Sequence, residues 1–229
     1  MRALRLNRMA SGIVSCALVF AFAAHAFQNV HPVTGRTIAP VMGVVGADWL
    51  ERPEREKEEN PEGALNAIGI RPGMIVADIG AGTGYMSLRL AKRVGPAGKV
   101  YANDIQPEML RRLRLNADNA RLKNIETVLG TDVDPKLPVG QLDLVLLVDV
   151  YHEFSQPQKM LRKIRETLKP AGRLVLLEYR KEDPNIPIIT VHKMTVEEVK
   201  KELEAERFIF SQAIESLPRQ HILILTRAS

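Results

Sequence analysis

Short apolar runs alternate with amphipathic stretches along most of this chain. Runs that are apolar enough for buried strands lie at about 74–79, 99–103, 125–130, 143–148 and 172–178. Apolar residues at helical spacing predict helices between them, near 84–94, 107–120 and 157–168. Alternating strands and helices predict an α/β fold, in which helices cover both faces of a mostly parallel sheet.

The C-terminal part of the chain follows a different pattern. Thr195 and Glu198 have the spacing of a capping box, which predicts that a helix begins there. Two strands, near 208–214 and 221–226, follow with only a proline-containing turn between them. They predict a hairpin at the edge of the sheet.

A glycine-rich loop follows the first predicted strand. The residues Asp78, Gly80, Gly82 and Gly84 form the pattern D-x-G-x-G-x-G, and Tyr85 opens the next helix. The glycines let the backbone approach a ligand where a Cβ would collide, and the helix offers free N–H groups. A dinucleotide loop, G-x-G-x-x-G, would need glycine where Tyr85 stands. Asp78 has the wrong sign for a pyrophosphate, but it suits a ligand that carries cationic groups.

This loop resembles motif I of the class I S-adenosylmethionine (SAM)-dependent methyltransferases, whose cofactor carries a sulfonium and an amino group. Further segments resemble the family's landmarks in the right order: 99–104, 130–133, 142–149 and 168–178. The last segment departs from the family's L-K-P-G-G-x-L only at Ala171, and the resemblance covers roughly residues 62–227. It implies a Rossmann-like fold with a seven-stranded, mostly parallel sheet, helices on both faces and an antiparallel edge hairpin.

The resemblance also implies which residues bind SAM. Asp78, Gly80 and Gly82 are expected at the methionine end, Asp104 at the ribose, and Asp132 with the Val133 backbone at the adenine. Ala81, Ile105 and Asp149 are expected to be further cofactor-binding residues. Ligands of open α/β sheets bind beyond the carboxyl ends of the strands, where the four acids fall. Each acid taken alone could equally be a loop or capping residue, and Asp132 also stands in a sequence typical of a turn.

The segment after the fourth predicted strand is where this family presents its substrate. His152 is the best general base by its pKa, and Tyr151 and Glu153 are alternatives. Methyl transfer needs a base only when the nucleophile arrives protonated, so Tyr151 could instead pack under the loop while His152 merely lines the pocket. One or two of three further residues are expected to touch the substrate: Arg52, Arg180 and His192. No metal site is predicted.

Composition and charge indicate one domain without a surface for nucleic acid. The chain has 229 residues, of which 45% are hydrophobic, enough for one sizeable core. Its net charge is +5, but Arg2, Arg5 and Arg8 supply three of these charges, and the acid-free segment 1–26 leaves +2 for the remainder. A basic surface for nucleic acid is therefore not indicated. We expect a small-molecule methyl acceptor and no nucleic-acid partner, and the sequence indicates no oligomeric state.

The N-terminal residues have the layout of a secretory signal peptide. Three arginines precede an apolar run at 9–24, and Ala24-His-Ala26 matches a cleavage site before Phe27. The alternative is an uncleaved anchor, which would be the one expected membrane contact; a lipid attached at Cys16 fits poorly because the apolar run continues past it. The predicted organisation is a signal peptide (1–26), an N-terminal arm or lid (27–60) and a methyltransferase domain (61–229), exported to the periplasm or outside the cell.

The sequence therefore predicts an exported SAM-dependent methyltransferase. Export also motivates an alternative, a non-catalytic sensor of SAM or of its demethylated product S-adenosylhomocysteine (SAH), because SAM is made in the cytoplasm. An NAD-dependent oxidoreductase is a second alternative. The spacing of the glycines and the negative charge of Asp78 make it the less favoured one. A metalloid substrate, as in the arsenite methyltransferases, is rejected because Cys16, the only cysteine, would leave with the signal peptide.

Overall fold

The computed structural model describes residues 29–228, which form an eight-stranded sheet with helices on both faces. The strands are β1 (Ile75–Ile79), β2 (Lys99–Asp104), β3 (Ile125–Leu129), β4 (Leu142–Val148), β5 (Leu168–Arg180), β6 (Lys193–Met194), β7 (Phe208–Ile214) and β8 (Gln220–Arg227). Their order is β3-β2-β1-β4-β5-β8-β7, and the two-residue β6 pairs with β5 outside this path. The pairs among β1 to β5 are parallel, whereas β8 is antiparallel to both β5 and β7. The predicted fold class is confirmed, and β6 adds an eighth strand.

Three helices lie close to the positions predicted near 84–94, 107–120 and 157–168, and a fourth begins at the predicted capping box. The helices are α1 (Ala47–Leu50), α2 (Arg55–Glu59), α3 (Pro61–Ile68), α4 (Tyr85–Val94), α5 (Pro107–Asn119), α6 (Pro157–Thr167) and α7 (Val196–Glu204). Prolines open α3, α5 and α6 at a position where the missing N–H costs nothing. Gly69 ends α3 with a left-handed φ of +74°, which glycine adopts without strain.

The central strand β4 is buried on both of its faces. Leu144 and Leu146 belong to the apolar cluster that contains residues of α3 and α4. Val145 and Leu147, which alternate with them, belong to the cluster that contains residues of α6 and α7. This alternation explains the continuous apolar run of β4, since side chains of a strand point to opposite faces of the sheet.

The helix α7 begins with the predicted capping box. The Thr195 side chain accepts a hydrogen bond from the Glu198 N–H at 3.0 Å, and the Glu198 carboxylate accepts one from the Thr195 N–H at 2.9 Å. We expect Thr195→Ala to lower the free energy of unfolding by about 1 kcal/mol, measured by urea denaturation. Thr190→Ala, at a threonine outside any α-helix cap, serves as the control. Equal stability of the two variants would contradict the capping role.

The N-terminal arm, residues 29–60, packs against α7 and the loop that follows β4. Arg36 pairs with Glu202 of α7 at 2.9 Å, and both side chains are buried. The Arg36 guanidinium also donates to the His152 carbonyl at 3.1 Å, and the same carbonyl accepts from the Ala39 N–H at 3.0 Å. Further along the arm, α2 begins at Arg55. The arm is thereby held over the loop that follows β4.

Residues 29–228 contain no helix whose length and apolar character would let it cross a bilayer. The predicted signal peptide, its cleavage site and Cys16 lie outside the described residues.

Candidate functional site

A cavity of about 350 Å³ opens at the carboxyl ends of the central strands, beneath the arm. This is the edge at which open α/β sheets bind their ligands. The predicted site residues that line it are Gly80, Gly82, Asp104, Ile105, Asp132, Asp149 and His152. The sheet therefore brings residues from the ends of four strands to one cavity.

The glycine loop adopts a backbone that other residues resist. Gly80, Gly82 and Gly84 have φ values of +72°, +54° and +98°, all in the left-handed region. The Ala81 N–H donates to the Asn103 carbonyl at 2.9 Å, which fixes the loop against β2. The loop therefore presents bare backbone to the cavity, while Ala81 itself is not among the lining residues.

Asp104 ends β2 and connects the glycine loop to the next helix. Its Oδ2 accepts from the Gly82 N–H at 2.9 Å, and its Oδ1 accepts from the Gln106 N–H at 2.8 Å. Burial raises the pKa of Asp104, and the hydrogen bonds from these backbone N–H groups partly offset that rise. The Gln106 side chain donates in turn to the Met42 carbonyl of the arm at 3.0 Å. The carboxylate is thus held between the glycine loop and the start of α5, and its contact with the ribose stays a prediction.

Asp78 lies behind the glycine loop rather than on the cavity wall. Its carboxylate accepts from the Ser87 hydroxyl of α4 at 2.6 Å, and the residue is buried. Burial raises the pKa of Asp78 to about 6 from an ordinary 3.8, despite the opposing Ser87 hydrogen bond and the Arg55 charge. Its position indicates that it shapes the loop through α4 without lining the cavity.

The raised pKa of Asp78 predicts a stability that depends on pH. The native chain binds this proton more tightly than the unfolded chain, so stability falls as pH rises from about 4 to above 6. The loss amounts to roughly 3 kcal/mol, and Asp78→Asn should escape it. Urea denaturation of both proteins between pH 4 and 7 measures the difference.

Ser87→Ala is the matched control for this prediction. It removes the hydroxyl that stabilises the charged carboxylate, so it should cost more stability at pH 7 than at pH 4. Parallel pH profiles for the wild type and Asp78→Asn would refute the assignment.

Asp149 and Arg55 bring opposite charges to the same cavity. Asp149 follows β4 with a left-handed φ of +51°, and its Oδ2 accepts from the Gln220 side chain at 2.7 Å. Its Oδ1 is buried and has no hydrogen-bond partner among residues 29–228. Burial raises the pKa of Asp149 well above its ordinary value. Arg55 from α2 lines the cavity and pairs with Glu59 at 2.6 Å. A ligand's ammonium group would supply the partner that Asp149 lacks.

Four polar side chains, which we name the polar cluster, meet after β4: His152, Glu153, Glu178 and His192. His152 Nδ1 lies 2.6 Å from Glu178 Oε2, and His152 Nε2 lies 3.0 Å from His192 Nδ1. With Nδ1–H donated to the carboxylate, Nε2 of His152 is left as an acceptor. Burial raises the pKa of Glu153 to about 7 and lowers the pKa of His192. This cluster can bind a hydroxyl group and accept its proton.

Other predicted substrate residues are placed elsewhere. Tyr151 is fully buried, with its hydroxyl 3.3 Å from His31 of the arm, and it does not line the cavity. Arg52 stacks on Trp49 and pairs with Glu58 at 2.6 Å. Arg180 donates to main-chain carbonyls before β8, including that of Leu217. Of the three expected substrate contacts, only His192 lines the cavity. Val133, which is predicted to contact the adenine, does not line it.

The sequence does not predict Glu178 as the partner of His152. The available signal is the register of the sheet, in which Val148 of β4 pairs with Leu177 of β5. The residues that follow these two must meet at the same edge, so an acid after Leu177 comes close to the loop after β4.

Apolar side chains close the cavity beside the polar cluster. We name them the apolar wall, and they are Val41, Phe154, Met160, Ile188 and Ile189. Val41 and Ile189 are 44% and 68% exposed, which is high for such side chains. The cavity therefore combines a buried polar end with an apolar mouth.

Comparisons with known proteins agree with this geometry. A family model described as "Methyltransferase domain" matches residues 70–223, more than half of the chain. The chain is 34% identical over 120 residues to the ubiquinone/menaquinone biosynthesis C-methyltransferase UbiE of Hydrogenovibrio crunogenus, covering 52% of this chain and 47% of that protein. It is 29% identical over 109 residues to the protein-L-isoaspartate O-methyltransferase of Methanothrix thermoacetophila, covering 48% and 49%.

A solved structure shares most of this fold. The crystal structure of a SAM-dependent methyltransferase from Aquifex aeolicus superposes with a TM-score of 0.78 at 26% identity, covering 82% of this chain and 100% of that one. The chain spans about half the length of the curated relatives that it matches.

Proposed function

Because this chain belongs to the class I SAM-dependent methyltransferases, we propose that it methylates a small apolar acceptor with an acidic hydroxyl, of the hydroquinone type. SAM is its cofactor, and methyl transfer is favoured over the sensor and oxidoreductase alternatives. The acceptor class rests on one observation above all: three members of the polar cluster, His152, Glu153 and His192, line the same cavity as the apolar wall.

The placement of SAM follows from the strand ends. The Asp104 carboxylate would accept from the ribose hydroxyls, and the unpartnered Oδ1 of Asp149 from the α-amino group of the methionine moiety. Arg55 would face the methionine carboxylate. The exposed Asp132 and Ile105 would border the adenine. In this arrangement the methyl group lies near the loop after β4, which carries His152.

Methyl transfer is an in-line displacement at the sulfonium carbon. The acceptor's electron pair forms the new bond to the methyl carbon, the carbon–sulfur bond breaks, and its electrons neutralise the sulfonium to give SAH. A hydroquinone is a stronger nucleophile, at oxygen and at the neighbouring ring carbon, once its hydroxyl proton has left. The polar cluster would accept that proton, with Glu178 stabilising the charge that His152 gains.

The comparisons support this acceptor class over a peptide. The UbiE relatives are named as C-methyltransferases of ubiquinone and menaquinone biosynthesis, and an acceptor of the quinone class would suit the apolar wall. The isoaspartate enzyme acts on a carboxylate of a protein, and the apolar wall offers such a group no cationic partner. The buried acids of the site, Glu153 and Glu178, would repel it.

Methyl-labelled SAM tests the proposal. The purified chain is incubated with a 2-alkyl hydroquinone that lacks one ring methyl, with the same compound methylated on both hydroxyls, and with an isoaspartyl peptide. We expect label in the free hydroquinone alone. Label in the peptide alone, or in none of the three despite SAM binding, would contradict the acceptor class.

We also propose that the mature protein is exported. The proposal rests on the arginines, the apolar run and the cleavage pattern of residues 1–26, which lie outside the described part of the chain. Intact mass of the protein recovered from its native cell fractions is the test. A periplasmic or secreted species that begins at Phe27 supports export, a membrane-bound species with residues 1–26 supports the anchor alternative, and a full-length cytoplasmic species refutes both.

A further inference from the structure

Three potential metal ligands of the polar cluster converge on one point of the cavity wall. His152 Nε2 and His192 Nδ1 are 3.0 Å apart. Glu153 Oε1 lies 4.0 Å from the first nitrogen and 3.9 Å from the second. All three side chains line the cavity, and no two of these atoms are more than 4.8 Å apart.

We propose that His152, Glu153 and His192 bind one divalent transition-metal ion, with Zn²⁺ as the reference ion. Zinc binds imidazole nitrogen and carboxylate oxygen at roughly 2.0 to 2.2 Å, so three such ligands around one ion lie roughly 3 to 3.5 Å apart. The observed separations approach this triangle. Closing it requires that Glu153 moves inward by less than roughly 1 Å and that the proton shared by the two rings moves from His192 Nδ1 to His192 Nε2. Two imidazoles and one carboxylate are a donor set that suits zinc, iron and related ions.

Glu178 gives His152 the form that a metal ligand needs. Its Oε2 receives the Nδ1–H of His152 at 2.6 Å, and its Oε1 is held by the Tyr151 N–H at 3.0 Å. Glu178 is fully buried, so this geometry is fixed from within the sheet. A carboxylate behind a histidine is the usual outer partner of a metal-binding imidazole, because it fixes the tautomer and the ring orientation. The lone pair of Nε2 then points away from Glu178, toward the other two ligands.

A hydrogen bond between the two histidines accounts for only part of this arrangement. It satisfies His152 and His192, but it leaves the buried Glu153 carboxylate with the Met42 N–H at 3.3 Å as its hydrogen-bond donor. A buried carboxylate with so little compensation is costly, whereas a cation at the centre of the triangle compensates all three groups.

His221 also contacts two acidic side chains, but its ligand atoms do not converge on one point. Its Nδ1 lies 2.6 Å from Glu215 and its Nε2 lies 2.9 Å from Glu182. The two carboxylates bond to different ring nitrogens, so one ion cannot contact both acids and the ring between them. His221 is therefore a matched control for metal binding.

The catalytic consequence of this site rests on the proposed function. Three protein ligands would leave at least one coordination position open, as in catalytic zinc sites, and the side chains of all three ligands line the cavity. The acceptor's hydroxyl oxygen would bind there and lose its proton to water, because the ion lowers its pKa. The ion then takes over the activation of the acceptor, and His152 serves as a ligand instead of a base.

Metal binding is measured directly on the tag-free, chelator-treated chain. Zn²⁺ is titrated by calorimetry, and Co²⁺ by its visible absorption, with no SAM present. We expect one ion per chain, with affinity reduced at least about tenfold in His192→Gln and in Glu153→Gln and unchanged in His221→Gln. Circular dichroism verifies that each variant is folded, and the partly exposed His192 makes its variant the least disruptive. No binding of either ion to the wild type, or equal binding by His192→Gln and wild type, would overturn the proposal.

Titration of SAM into the same preparations separates this proposal from the proposed function. SAM binding without metal binding would refute the metal site and leave the methyltransferase assignment intact. Metal binding with the expected variant pattern, but without SAM binding, would establish the site and refute the assigned use of the cavity.

Discussion

Asp104→Ala should weaken SAM binding by between roughly tenfold and a hundredfold, because about two charge-assisted hydrogen bonds are lost. The structure adds a second reason for a large effect. The same carboxylate holds the Gly82 N–H of the glycine loop and the Gln106 N–H at the start of α5. Removing it therefore takes away the ribose contact and loosens the loop that approaches the cofactor. Calorimetric titration of SAM into both proteins measures the change.

Two further variants make this prediction specific. Asp104→Asn keeps one side-chain oxygen but not the charge, so its affinity should fall between those of the wild type and Asp104→Ala. Asp118→Ala, at an exposed acid at the end of α5, should bind SAM like the wild type. Unaltered affinity in Asp104→Ala would refute the ribose assignment, and a similar loss in Asp118→Ala would indicate a general effect of charge.

Gly80→Ala should both destabilise the protein and impair SAM binding. Its backbone φ of +72° is strained for alanine, and the added Cβ would lie 2.4 Å from Val150 Cγ2 and 2.9 Å from Val150 Cβ. Backbone strain and overpacking together should cost about 2 to 4 kcal/mol of unfolding free energy. SAM affinity should fall at least roughly tenfold, because the loop must shift within the cavity. Urea denaturation and calorimetry provide the two measurements.

The double variant Gly80→Ala with Val150→Ala distinguishes the two causes. Removing the Val150 methyl groups relieves the 2.4 Å contact but neither the 2.9 Å contact with Cβ nor the backbone strain, so the double variant should recover part of the stability lost in Gly80→Ala. Val150→Ala alone provides the reference. If the losses of stability of the two single variants simply add in the double variant, the contact with Val150 does not contribute to the cost of Gly80→Ala.

Most of the fold was predictable because its signals are local. The apolar runs of β1 and β4 mark buried parallel strands, and Gly69 marks the end of α3. Thr195 and Glu198 mark the start of α7, since a capping box involves residues only three positions apart. The glycine loop is equally local. Its backbone geometry depends on glycines at alternate positions, which explains why the cavity could be placed from the sequence.

The parts that could not be predicted depend on partners far apart in the chain. The charged stretch before α3 suggests a solvated helix, yet Arg55 and Glu59 are buried because Tyr179, 120 residues later, donates to Glu59 at 2.8 Å. The polar cluster likewise joins His152 to Glu178 and His192, which are 26 and 40 residues away. No spacing along the chain indicates such a group.

Tyr151 is a residue that sequence position alone suggests for catalysis but that does not reach the cavity. Its place beside His152 makes it a candidate for catalysis, but neighbouring residues of a tight turn point in different directions. The phenol ring is buried against Phe154 and the arm residue His31, with the Arg36 guanidinium 5.4 Å from the ring centroid. Because the arm is distant in sequence, only the folded chain shows which of the two side chains reaches the cavity.

Calorimetric titration of SAM and of SAH into the purified chain, with NAD as the negative control, tests the central claim most directly. We expect SAM and SAH each to bind at one site with micromolar affinity. We also expect the wild type to bind SAM far more tightly than Asp104→Ala does, and NAD to give no heat of binding. Binding of NAD in place of SAM, or binding of neither SAM nor SAH by the folded protein, would contradict it.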